Sequence, residues 1–402
     1  MLFRSLGGSA DLLAVPAAQE FAVRLVQSRS GREVAFLNMP GNPSGQCFTR
    51  DGSVLLLTHS HGARVIHLRP EREKLRLEGH LGGVPAIEFS PDGKRLASVG
   101  KDRTLRLWDL AAPGESRVLA NLPAPGQTLA FSPDGAFLFC AYYNIGEFSI
   151  WSMETGKEVL QVKENSAHRG TTWSSGISAD GKYLAVIGNG LRIWELPKLV
   201  ASASRPGESI LPAVVEANGL AGAVFDAAGE HVAYLDVLST QPVFSTGVRI
   251  RELSAGSLPI LVATNNQMLS VQTLAFLPKS GALAYVTQQR EITLLDPHTH
   301  SVLRSFPTRA QGDTNRSTVV NLRASPDESR LAMASVSGLG VDLWDPATGR
   351  LLYTLPEEPG SIWWLAWSPD SRRLAVSRDN GEIAIWNLQE VEAQLSQIGL
   401  AP

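Results

Sequence analysis

Eight histidines and two cysteines are the side chains of this 402-residue protein best suited to metal or covalent chemistry. Four of the histidines form two His-x-His pairs, His59/His61 and His298/His300. That spacing puts two imidazoles on one face of a strand, where they could share a zinc or copper ion. Neither pair brings the further ligands such a site needs, and both are read as polar turn residues. Cys47 and Cys140 are too few for a disulfide framework and lie in no activating motif, so both are expected to be small core residues. No Gly-x-Ser-x-Gly elbow and no phosphate-cradling glycine loop with Lys-Ser/Thr occurs. The expectation is a chain with no catalytic residue, no cofactor and no metal.

A net charge of -3, with basic residues scattered, gives no footprint for nucleic acid. No apolar run approaches the roughly 20 residues of a membrane helix. Near the N-terminus, "MLFRSLGGSADLLAVPAA" is interrupted by Gly7, Gly8 and Asp11, which argues against a secretory signal. A cytoplasmic monomer with neither nucleic-acid nor membrane partners is expected.

The elements that carry these residues come from a repeat. "FSPDG" occurs at 89–93 and 131–135, with weaker copies "FTRDG" (48–52), "ISADG" (177–181), "FDAAG" (225–229), "FLPKSG" (276–281), "ASPDE" (324–328) and "WSPDS" (367–371). Successive copies are 41 to 51 residues apart, a period that marks a repeat architecture. In each copy an apolar strand enters a Pro-Asp-Gly turn, where proline fixes φ and glycine supplies positive φ. A second apolar strand follows, such as "RLASV" (95–99), then an alternating third strand such as "TLRLWDL" (104–110) or "EIAIWNL" (382–388). A turn such as "ETGK" (154–157) leads to the fourth. Four short antiparallel strands repeated radially make an all-β propeller, because a lone blade cannot bury both faces. In that frame the two His-x-His pairs lie on opposite rims and cannot converge.

The stretch from 79 to 109, "GH…SPDGKRLASVGKDRTLRLWDL", resembles a WD repeat with all its hallmarks, and the whole pattern covers about nine-tenths of the chain. The resemblance implies a hydrogen-bonded network within the blade, here His80, Ser98, Asp102 and Trp108. Elsewhere the Trp position reads Ile66, Trp151, Trp194, Arg251, Leu295, Trp344 and Trp386, so only this repeat carries all four members. Copies that start in mid-repeat, and an ending resembling "LxxLGL", are also similar to the tail propeller of larger bacterial multidomain WD-repeat proteins.

Residues 3–37 read as a partial copy whose first strand would lie before Met1. Eight complete copies follow, and the last is expected to lack a fourth strand, because Leu388, Val391, Leu395 and Ile398 recur at helical steps. The economical arrangement lets "REVAFL" (32–37) close the last blade and remove its exposed edge. The expectation is an eight-bladed propeller over 1–387, with an amphipathic helix or tail over 388–402. Seven blades, with two copies outside the ring, is the alternative.

The segment "SIWWLAWSPD" (361–370) contains three tryptophans. Trp367 shares a column with Phe48, Phe89, Phe131, Ile177, Phe225 and Phe276, a core position. Trp363 shares one with Ser44, Pro85, Gln127, Trp173, Ala221, Gln272 and Val320, at the entrance of the innermost strand. In WD propellers that rim is the usual docking surface, and aromatic anchors contribute most there. Trp364 stands where other copies hold Gly45, Ala86, Thr128, Ser174, Gly222, Thr273 and Asn321. Either it fills a wide channel or it joins an aromatic patch at the mouth. The candidate partner-binding set is Trp363, Trp364, Trp173, Gln127 and Gln272, on a non-enzymatic scaffold for a protein or peptide. The competing classes are a propeller enzyme (a lactonase-like hydrolase or a quinoprotein) and a sensor module related to kinase-linked WD-repeat proteins.

Overall fold

The computed structural model divides the chain into two compact units, Met1–Arg72 and Glu73–Pro402. Of the first it describes only the strands. In the second, from 74 to 397, it describes all but 112–115, 144–146, 164–173, 189, 205–210, 217–218, 240–244, 255–256, 266–272, 288, 309–320, 335–339 and 357.

The first unit holds two antiparallel sheets. One orders Phe3–Arg4, Leu12–Ala17, Ala22–Gln27 and Glu33–Asn38 in sequence, and the other Pro43–Phe48, Val54–His59 and Gly62–His67. The partial copy thus has its first strand inside the chain, at Phe3–Arg4.

The second unit is a propeller of seven four-stranded blades, not eight. Blades 1 to 6 span 86–121, 126–162, 174–216, 219–265, 274–307 and 321–355. Blade 7 combines Ile362–Trp367, Arg373–Arg378 and Ile383–Asn387 with a fourth strand from the start of the unit, Lys74–Leu77. Each blade is antiparallel, and the inner strands touch in order around the ring, blade 7 meeting blade 1.

The copy whose turn lies at 48–52 adds no eighth blade, because its strands are divided. Three form the small sheet of the first unit, and its fourth, Lys74–Leu77, closes the ring. The segment 32–37, expected in that role, instead pairs with Ala22–Gln27. The physical reason lies in the side chains of 74–77. Leu77 is fully buried opposite Ile383. Lys74 and Arg76 both reach Glu358, Arg76 also reaches Glu382, and Arg378 joins Glu358 from the blade interior. "REVAFL" offers no such pattern of cations.

The turns form as their residues dictate. In "FSPDG" at 89–93, Ser90 Oγ donates to Asp92 and accepts the amide of Arg95, while Asp92 accepts the amide of Lys94. Gly93 takes φ +68°. Where the glycine is replaced, Glu328 and Ser371 adopt the same left-handed conformation at +59° and +60°. Each is held by a bond to a neighbouring turn: Glu328 accepts the amides of Lys279 and Ser280, and Ser371 Oγ accepts that of Asp327.

Leucine, valine and alanine from second and third strands pack between blades as the core, with Trp108, Trp194, Trp344 and Trp386 all buried. The C-terminal helix, Leu388–Gln397, lays Leu388, Val391 and Leu395 on the same core, and Glu392 joins Arg330 and Tyr353.

Candidate interaction rim and central channel

The four network residues of blade 1 come together. Ser98 Oγ is the hub: it accepts the indole N–H of Trp108 at 2.8 Å and bonds His80 Nε2 at 2.7 Å. His80 Nδ1 meets Asp102 at 3.1 Å, and Asp102 accepts the amides of Leu81 and Thr104. Burial holds His80 below its ordinary imidazole range, although Asp102 opposes this. Burial would raise the Asp102 carboxyl, but the two amides and His80 keep it below the usual carboxylate range.

The other blades show what the hub supplies. By register, Leu138 opposes Trp151 and Leu331 opposes Trp344 as Leu96 opposes Trp108. Cys140 and Met333 therefore occupy the place of Ser98. Among the described residues, the indole N–H groups of Trp151 and Trp344 find no acceptor. Cys140 is fully buried, as expected of a core thiol, and burial pushes its pKa far up. The side chain of Cys47 lies outside the described residues.

At the rim where inner strands begin, the turn between second and third strands bonds back to the segment entering the blade. Lys101 N donates to Gly83 O at 2.9 Å, and Tyr143 N to Pro125 O at 2.8 Å. This stitching brings three blades together. Trp363, half-buried, lies against Gly83 so closely that a Cβ there would sit 2.3 Å from the ring. The Lys101 ammonium lies 5.6 Å from the Trp363 ring centroid and 4.0 Å from that of Tyr143. Its surroundings lower its pKa through desolvation, a setting in which cation–π attraction strengthens. Beside it, Leu81 is 85% exposed.

Lys101 thus links Trp363 with Tyr143, and Leu81 adjoins them through its amide bond to Asp102; the first-strand columns singled out neither Lys101, Tyr143 nor Leu81. The informative signal was the second-to-third-strand turn, which shares the rim with those columns. Gln127, half-buried with its Oε1 unbonded, lies two blades from Trp363. Trp173 and Gln272 lie outside the described residues.

Trp364 faces inward. It is 7% exposed, lines the central cavity and packs with Ile87 and Val99, while the Arg323 guanidinium lies 5.0 Å from its ring. Trp367, half-buried, donates from Nε1 to the Arg323 carbonyl at 3.0 Å. Such bonds serve a specific need, since the innermost strand of every blade turns an unpaired backbone edge to the channel. Asn321 Nδ2 bonds the Trp363 carbonyl in the same way, and the Phe131 amide bonds Glu88.

Of the histidine pairs, the side chains of 59 and 61 lie outside the described residues. His298 stacks edge-on against His231 at 4.8 Å, and His231 bonds Asp226. Among the described residues, no three His, Cys, Asp or Glu side chains converge as a metal-ligand set. None of the helices described is long and apolar enough to cross a membrane.

The family model for the WD domain, G-beta repeat, matches residues 71–109 and 349–387. Each match takes in the fourth strand of one blade and ends on the third strand of the next. Over 124 residues (29% of this chain and 33% of the relative), the sequence is 32% identical to the guanine nucleotide-binding protein subunit beta-1 of Nicotiana tabacum. Over 87 residues (21% of this chain, 25% of the relative), it is 34% identical to an uncharacterized WD repeat-containing protein of Synechocystis sp.. The aligned stretches thus span a third or less of these relatives. Among solved structures, the Cps50 (Swd1) β-propeller domain of Myceliophteria thermophila superposes with a TM-score of 0.59 at 18% identity, covering 77% of this chain and 98% of that one. With the repeat matched on both sides of the ring seam, the hydrogen-bonded tetrad complete in blade 1 and seven four-stranded blades around one channel, this chain belongs to the WD-repeat β-propeller family.

Proposed function

We propose that the protein is a non-enzymatic scaffold that docks a protein or peptide on the rim where inner strands begin. The observation that carries this reading is the cluster of Trp363, Lys101, Tyr143 and Leu81. It draws on blades 7, 1 and 2 and adds an exposed leucine and a desolvated cation to a tryptophan and a tyrosine, the aromatic types enriched in interface hot spots. A segment with an apolar side chain beside a carboxylate complements it: the carboxylate meets Lys101, and the apolar group covers Leu81 and the Trp363 edge. The likeness to a subunit of a guanine nucleotide-binding protein favours an interaction module.

The test is affinity capture with wild-type protein against Trp363→Ala and Lys101→Glu, each first shown to be folded. Losing a hot-spot anchor costs about 2 kcal/mol or more, roughly thirtyfold in affinity. An unchanged set of captured partners would refute the assignment of this rim.

A further inference from the structure

On the rim opposite the docking cluster, blades 4 and 5 bring two histidines together. His231 begins the second strand of blade 4, and His298 lies in the turn before the fourth strand of blade 5. Their ring centroids are 4.8 Å apart, with the planes inclined at 79°. The spacing of His298 and His300 pointed to a pair within one turn, but the fold supplies His298 with a companion from the neighbouring blade.

His231 is held as a metal ligand would be. In blades 1, 2, 3, 6 and 7 the first turn is capped by a serine hydroxyl that accepts the amide five residues on. Blade 4 has Asp226 there, and its Oδ1 accepts the amides of Glu230 and His231. The second oxygen, which a serine lacks, accepts from His231 Nδ1 at 2.8 Å. Where blade 4 has His231, those five blades have Arg95, Phe137, Tyr183, Arg330 and Arg373. Aspartate and histidine are thus exchanged in together. With the proton on Nδ1 the lone pair is on Nε2, and a carboxylate behind the ring raises the basicity of that nitrogen. His231 and Asp226 are buried, which fixes the ring, whereas His298 is exposed and can turn towards an ion. Two imidazoles on one tetrahedral zinc, each bonded at about 2.0–2.1 Å, hold their centroids about 5 Å apart. The observed separation matches that arrangement.

Among the described residues no third His, Cys, Asp or Glu joins the pair, so water would complete the coordination. We propose that His231 and His298 bind a zinc ion across the seam between blades 4 and 5, with Asp226 as the positioning residue behind His231. This site shares no residue with the docking cluster, so either can fail without the other.

Zinc chloride, titrated into the metal-stripped full chain at about pH 7.5, is the probe, followed through the histidine Cε1–H resonances by NMR. The His231 and His298 resonances, assigned by substitution, are expected to move together and saturate at one equivalent. His298→Ala removes an exposed side chain and should weaken the site about a hundredfold, the usual gain of two joined ligands over one. Asp226→Asn keeps an acceptor for the two amides but loses the carboxylate, and should weaken it about 10- to 100-fold. Zinc that leaves either resonance in place, or that binds folded His298→Ala or folded Asp226→Asn as tightly as wild type, overturns the proposal. So does a site that survives His231→Gln but not His300→Asn, which would be the pair within the turn.

Discussion

Glu358 is the residue on which closure of the ring depends. Its side chain is 6% exposed and lies between Lys74 (3%) on the closing strand and Arg378 (1%) in the second strand of blade 7. Arg76 adds a third cation, at 2.9 Å. Glu358→Gln leaves two cations buried without their carboxylate, and breaking a buried pair in this way costs about 3–5 kcal/mol. Against the 5–15 kcal/mol typical of a whole folded domain that is a large fraction, equivalent to a fall in Tm of about 5–10 °C. The neighbouring pair of Arg76 with Glu382 is a built-in control. Arg76 is 44% exposed, so Glu382→Gln should cost less than about 1 kcal/mol. Replacing the buried cluster as a whole, Lys74→Met with Glu358→Leu and Arg378→Met, should recover most of the loss, since no orphaned charge remains. Urea unfolding followed by tryptophan emission reads the loss, and one of the nine tryptophans, Trp386, has the Lys74 ammonium 4.8 Å from its ring centroid. If Glu358→Gln unfolds within 1 kcal/mol of wild type, the cluster does not hold the seam, and packing of Leu77 and its neighbours must suffice.

Two further outcomes follow from the channel and from blade 2. Glu88 ionises near 4.5 in the unfolded chain but only near 8 in the fold. Its contribution to stability is therefore fully present below about pH 4.5 and is lost as the pH rises to about 8. Glu88→Gln should consequently gain on wild type across that window, by more than about 2 kcal/mol at pH 8.5; thermal melts at pH 5 and 8.5 decide it, and a constant difference between the two proteins would refute the burial argument. Cys140→Ser places a hydroxyl where Ser98 sits in blade 1 and gives the Trp151 N–H an acceptor, worth about 1 kcal/mol of added stability. A lower Tm for this variant would mean that blade 2 does not admit the hub geometry.

Much of the fold was legible because its signals are local. The Ser-Pro-Asp-Gly turns bond within five residues, so each copy announced its own first hairpin. The tetrad was legible for the same reason: all four residues fall within one repeat. The count of blades was not local. It depended on which N-terminal strand pairs with Ile383–Asn387, and two segments had the right hydrophobic alternation. What separates them is a contact across more than 280 residues, Lys74 and Arg76 with Glu358. Column comparison could not find it, because the column of Glu358 lies in a connection between blades, where no repeat rule applies. The rim cluster escaped for a related reason: Lys101 and Trp363 belong to different columns of different repeats, and only closure of the ring makes blades 7 and 1 neighbours.

Trp364 shows how a broken column rule should be weighed. Every other copy keeps that position small or polar, and the exception suggested either a wide channel needing a plug or an aromatic anchor at the mouth. The channel is that of a seven-bladed ring, and the indole is buried inside it. Its distinctive neighbour is Arg323, itself the exception in a column that is otherwise small, apolar or, at Glu88, acidic. Two exceptions in adjacent blades that stack on each other are more informative than either alone. A tryptophan placed only to fill space needs no cation beside it, and a cation desolvated in a channel is costly unless something recovers the cost. The stacking recovers part of it through cation–π attraction, stronger where water is excluded. The Glu88 carboxyl acts on the same guanidinium, so the pair, rather than the tryptophan by itself, explains why the exceptions in the two columns occur together.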